Sequence, residues 1–86
     1  MYVHVIWDDE PGGNVEHIAE HGLEPSEVDD VLLDDTIPTA YSASSGSPCK
    51  FGYTSTGKHI IVVWLEVEDD PRTIYPMTAY EVPEPS

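Results

Sequence analysis

Nine consecutive residues, His59-Ile60-Ile61-Val62-Val63-Trp64-Leu65-Glu66-Val67, are almost all β-branched or aromatic and lack helical spacing. They lie between Thr56-Gly57 and Glu68-Asp69-Asp70-Pro71. An apolar run of this length between turn signals predicts a strand buried on both faces, and so the centre of a sheet. A central strand needs neighbours. Cys49 to Ser55 precedes it and Arg72 to Tyr80 follows it, each joined by a connection short enough for a hairpin. The C-terminal half therefore reads as an antiparallel meander.

The N-terminal half has a different period. Tyr2 to Trp7 is aromatic and β-branched and ends at Asp8-Asp9-Glu10-Pro11-Gly12-Gly13, which predicts a first strand. From Asn14 to His21, Val15, Ile18 and Ala19 share one helical face, with Asn14 placed as N-cap and Gly22 as the left-handed residue closing the helix. A second helix is predicted over Pro25 to Leu33. Pro25 suits its first position, Val28, Val31 and Leu32 form the apolar stripe, and Glu27, Asp29, Asp30 and Asp34 form a solvated face. Ile37 to Ser42 reads as a weaker strand that Pro38 assigns to an edge, and Pro76 calls for an edge or a bulge in the last strand. The predicted class is α+β in the order β-α-α-β-β-β-β, one antiparallel sheet with two short helices on one face. Residues 1–82 form one domain and 83–86 a flexible tail.

The charge balance narrows the function. Seventeen acids stand against three bases, a net charge of −14 that opposes phosphate-backbone binding by the surface as a whole. Between Thr36 and Leu65 there is no acid at all, while Lys50 and Lys58 both fall there. An anion, if bound, is expected at that stretch. The single cysteine, Cys49, excludes an intrachain disulfide and fits a small apolar position in a sheet. With no secretory h-region and no apolar run of about 18 residues, a cytoplasmic location away from membranes is the expectation.

His17-Ile18-Ala19-Glu20-His21 spells the inverted zincin signature, with two histidines one helical turn apart. A zinc peptidase also needs a third ligand and a substrate cleft, so a pair of rim histidines beside the helix terminus is the preferred reading. Asp8, Asp9 and Glu10 are successive and read as a solvated turn rather than a metal site. No metal or other cofactor is expected. Richer chemistry lies in the meander, where Tyr53, Lys58, His59, Arg72, Tyr75 and Tyr80 fall on adjacent strands. Tyrosines can stack on bases while lysine and arginine hold phosphate, so Arg72, Tyr75 and Lys50 are candidate substrate-binding residues. The alternative is that these tyrosines are half-buried sheet aromatics.

Several segments together carry a family resemblance. Trp7-Asp8, His21-Gly22-Leu23, Pro25-Ser26-Glu27-Val28, Gly52-Tyr53-Thr54-Ser55-Thr56-Gly57-Lys58 and Ile74-Tyr75-Pro76-Met77-Thr78-Ala79-Tyr80-Glu81 resemble BrnT-type proteins. These are small toxins of type II toxin-antitoxin modules with a RelE-like ribonuclease fold. The resemblance implies RNA cleavage, and neutralisation by a cognate antitoxin that is a small DNA-binding protein. It implies Tyr53, Lys58 and Tyr80 as catalytic positions. Tyr53 and Tyr80 stand where the family pattern has arginines, and only Lys58 keeps its charge. Such sites use cations to stabilise charge on the scissile phosphate. Two readings follow: an endoribonuclease with a degenerate basic site, or a non-catalytic module of the same fold whose acidic surface docks a basic partner.

Overall fold

The computed structural model describes residues 3–84. The elements are β1 (His4–Val5), α1 (Asn14–Ala19), α2 (Pro25–Leu32), β2 (Ala40–Tyr41), β3 (Pro48–Tyr53), β4 (His59–Asp69) and β5 (Arg72–Glu81). One five-stranded sheet runs in the order β1-β5-β4-β3-β2. As its apolar run predicts, β4 is central. β3, β4 and β5 form the antiparallel meander.

The expected all-antiparallel sheet is corrected at one edge. β1 pairs with β5 in parallel, through His4 opposite Thr73 and Val5 opposite Ile74, so the sheet is mixed. Two helices separate β1 from the rest, and a crossover of that length permits a parallel return where a hairpin does not. The first strand is also shorter than Tyr2 to Trp7. Its predicted start at Tyr2 lies outside the described residues. Beyond Ile6, which still donates to the Ile74 carbonyl oxygen at 3.0 Å, α1 packs against β5.

The helices follow their sequence signals with two corrections. Gly13, not Asn14, is the N-cap of α1, and Asn14 is buried. Its Oδ1 accepts the Asp8 N–H at 2.7 Å, and its Nδ2 donates to the Ile6 and Pro76 carbonyl oxygens at 2.9 and 3.0 Å. Gly22 closes the segment at φ 76°, as expected. α2 opens with Pro25 in its first turn and half of a capping box, in which Glu27 Oε1 accepts the Glu24 N–H at 3.0 Å. Glu27 is only 4% exposed and does not belong to the solvated face.

Ile18, Leu23, Val28, Val31 and Leu32 of the helical half pack onto Ile60, Val62, Trp64, Ile74 and Ala79 of the sheet. Each fully buried aliphatic here contributes about 1.5–3 kcal/mol, which holds helices too short to persist alone. Gly52 allows close approach, since a Cβ there would stand 2.7 Å from Ile37 Cδ1 and 3.2 Å from Val31 Cγ1.

The opposite face carries only a small cluster, Cys49, Ile61 and Val63, with Met77 and Val82 partly packed against it. β4 is buried from Ile60 to Trp64 and exposed from Leu65 onward. The expected burial of the whole run on both faces therefore fails at its C-terminal end. β3 pairs with β4 only as far as Val63; beyond it β4 has β5 alone as a partner, and β1 flanks β5 on the other side at Thr73 and Ile74. A register shift opposite Pro76 supplies the expected bulge. The Pro83 carbonyl oxygen lies 3.1 Å from His59 Nδ1, which ties down the start of the predicted tail; residues 85–86 of that tail lie outside the described residues.

Candidate functional site

Register decides what the meander can bring together. Residues paired across antiparallel strands share a face, so Tyr53 with His59, Phe51 with Ile61 and Tyr80, and Leu65 with Tyr75 all lie on the face away from the helices. The Tyr53 and His59 rings are 4.7 Å apart. Phe51, Tyr53, Leu65 and Tyr80 are exposed by 48%, 52%, 47% and 39%, around the nearly buried Ile61 and Val63. His21, just past α1, reaches Tyr80 with ring centroids 5.8 Å apart, and His17 Nε2 sits 3.0 Å from Thr78 Oγ1. From His59 to Leu65 and their partners on β3 and β5 this face carries no carboxylate; Glu68, opposite Thr73, is the first.

The cations lie elsewhere. Lys50 is buried on the helix side, where its ammonium donates to the Leu32 and Asp34 carbonyl oxygens at 3.0 Å each and so caps the end of α2. Lys58 turns the same way, donating to the Gly22 carbonyl oxygen at 2.9 Å and pairing with Glu27 Oε2 at 3.0 Å. Arg72 makes a two-pronged pair with Glu66, through Nε at 3.2 Å and Nη2 at 2.8 Å. Of the expected site residues, Tyr53, Tyr75 and Tyr80 share the open face, while Lys50 and Lys58 turn away from it. The single basic and aromatic patch is not formed, because three carbonyl groups and a buried carboxylate draw the lysines to the helices.

Electrostatics agree with geometry. The Thr56 hydroxyl, with help from Lys58 and the Glu24 N–H, holds the Glu27 carboxyl below its ordinary value against the opposing effect of burial. Desolvation, followed by the Glu84 carboxylate, pushes the Tyr53 phenol up, away from the range in which it could act as a base near neutral pH. Burial likewise pushes the Cys49 thiol up, which makes it inert. Among the described residues, no three His, Cys, Asp or Glu side chains converge as a metal site. His17 and His21 instead meet edge to face, 5.4 Å apart.

Sequence reasoning missed Phe51 and Leu65 as open-face residues and Glu27 as a buried acceptor. The alternation Cys49-Phe51-Tyr53 was the available signal for the first, and the pairing of Glu24 with a Glu three residues later for the last.

These features define an α+β domain with a helix-covered sheet face and an uncovered aromatic one. No family model matches the chain, and no curated protein or solved structure matches it either. Among the described residues no helix is long and apolar enough to cross a membrane.

Proposed function

We propose that this chain is a non-catalytic protein-binding module, a divergent relative of the RelE/BrnT-type toxins, that docks a basic partner. One observation carries the reading: all three basic side chains are engaged by acceptors within the molecule, while an aromatic face stands uncovered beside an acidic surface. Glu84 adjoins Tyr53, and Glu68, Asp69 and Asp70 end the β4–β5 hairpin near Leu65. A partner that places apolar side chains on Phe51, Leu65 and Tyr80 and lysines or arginines at this rim satisfies both the exposed area and the charge. A second copy of the chain would bring one net charge of −14 against another. The family resemblance makes a small DNA-binding antitoxin a natural candidate for the partner, since a surface that binds DNA phosphates carries lysines and arginines.

The endoribonuclease reading needs a cation beside Tyr53 or Tyr80 to hold the scissile phosphate, and both lysines are turned the other way. Purification of the tagged chain with the product of an adjacent reading frame tests the proposal. Association that weakens steeply with salt and is lost in a Phe51→Ser, Leu65→Ser variant supports it. Growth arrest with RNA fragmentation on expression, relieved by Lys58→Ala, overturns it.

A further inference from the structure

A cleft of about 310 Å³ opens on the helix side of the sheet, independent of the aromatic face. Part of its wall is apolar, formed by Val3, Leu32, Leu33 and Ile74. Lys50 and Arg72 line it together, so two of the chain's three cations share one concavity. Lys50 is the stronger clue. It is 8% exposed, yet no carboxylate among the described residues lies within ion-pair distance of its ammonium. Two backbone carbonyls take two of its three protons. A buried charge is ordinarily paired with an opposite one in direct contact; this ammonium touches only carbonyl oxygens, and the Asp34 carboxylate acts on it from beyond ion-pair distance. Arg72 spends Nε and one Nη2 proton on Glu66, leaving three guanidinium N–H groups without an acceptor among the described residues.

We propose that this cleft binds a small monoanionic carboxylate with a hydrocarbon body. The carboxylate accepts from the third Lys50 proton and the free Arg72 N–H groups, while the chain lies against Leu32, Leu33 and Ile74. Charge-assisted bonds of this kind are the strong ones in a partly dry site. Asp35 also lines the cleft and selects against a second negative charge, which disfavours phosphate. The size fits the small end of ligand pockets, which typically begin near about 300 Å³.

The test is a titration of the full chain with hexanoate, followed by amide chemical shifts, with hexan-1-ol and inorganic phosphate as parallel probes. Hexanoate is expected to shift Leu33, Lys50 and Ile74 amides saturably, and at least tenfold more tightly than either control. Arg72→Gln, at an exposed pair that leaves the fold intact, should weaken hexanoate about tenfold, and Arg72→Lys should retain most of the affinity. Equal binding of hexan-1-ol, tighter binding of phosphate, shifts confined to other surfaces, no shift at all, or an Arg72→Gln variant that binds as the wild type each overturns the proposal.

Discussion

Asn14 Nδ2 donates to the Pro76 carbonyl oxygen at 3.0 Å, joining residues 62 positions apart in the chain. The same side chain holds the Ile6 carbonyl and the Asp8 N–H, so one buried amide fixes the end of the first strand, the start of α1 and the bulged part of β5. Asn14→Ala leaves three backbone groups without their partner. Each unsatisfied buried group costs about 1–3 kcal/mol, partly recoverable through water, so a loss of about 3 kcal/mol in urea unfolding is expected. A loss below about 0.5 kcal/mol would show that these bonds do not hold the crossover.

Glu27 and Lys58 form the second long-range tie. Glu27 is buried, whereas the Lys58 side chain is one-third exposed, which reduces what the pair contributes. Lys58→Met should cost about 2 kcal/mol, and Glu27→Gln less, because the first leaves a buried carboxylate alone while the second leaves an ammonium that water can reach. Non-additivity in a double-mutant cycle of about 1 kcal/mol is the expected signature of their contact.

The pH dependence of that pair has a definite sign. The folded state holds Glu27 as a carboxylate, below the ordinary value of 4.5. Its stabilising contribution is therefore complete above that value and is lost as pH falls through the lower folded one. Protonation of exposed acids on a chain of net charge −14 acts oppositely, relieving repulsion. Comparing wild type with Glu27→Gln removes that shared background. The stability gap between them should be constant above about pH 5 and narrow below 4.5. A gap that widens on acidification contradicts the assignment.

Gly52→Ala tests the packing of β3 against α2. The added methyl meets Ile37 Cδ1 at 2.7 Å, the movable end of a side chain, and Val31 Cγ1 at 3.2 Å. Overpacking here should cost about 1 kcal/mol, and Ile37→Val in the same chain should recover part of it. Additive losses would place the strain elsewhere.

Much of this architecture was legible because burial imposes a period. The run from Ile60 to Trp64 announces a central strand, Pro25 a helix start, and Gly22 a helix end. What was not legible depends on which way a polar side chain turns. Lys50 and Lys58 fall in an acid-free stretch, yet their reach takes them to the open carbonyls of Leu32 and Gly22, on the other side of the sheet from Tyr53. Asn14 at a helix start reads equally as a cap or as an inward clamp. The parallel return of β1 is likewise a property of the crossover and not of the residues from His4 to Val5.

The most direct test of the account is an amide chemical-shift titration of the full chain with an amphipathic leucine-lysine peptide and, separately, with single-stranded RNA. The account predicts that the peptide shifts the Phe51, Ile61, Leu65 and Tyr80 resonances in a salt-sensitive way that Phe51→Ser with Leu65→Ser abolishes, and that RNA shifts nothing. Saturable RNA binding at Lys58 and Tyr80, with the aromatic face indifferent to the peptide, would contradict it.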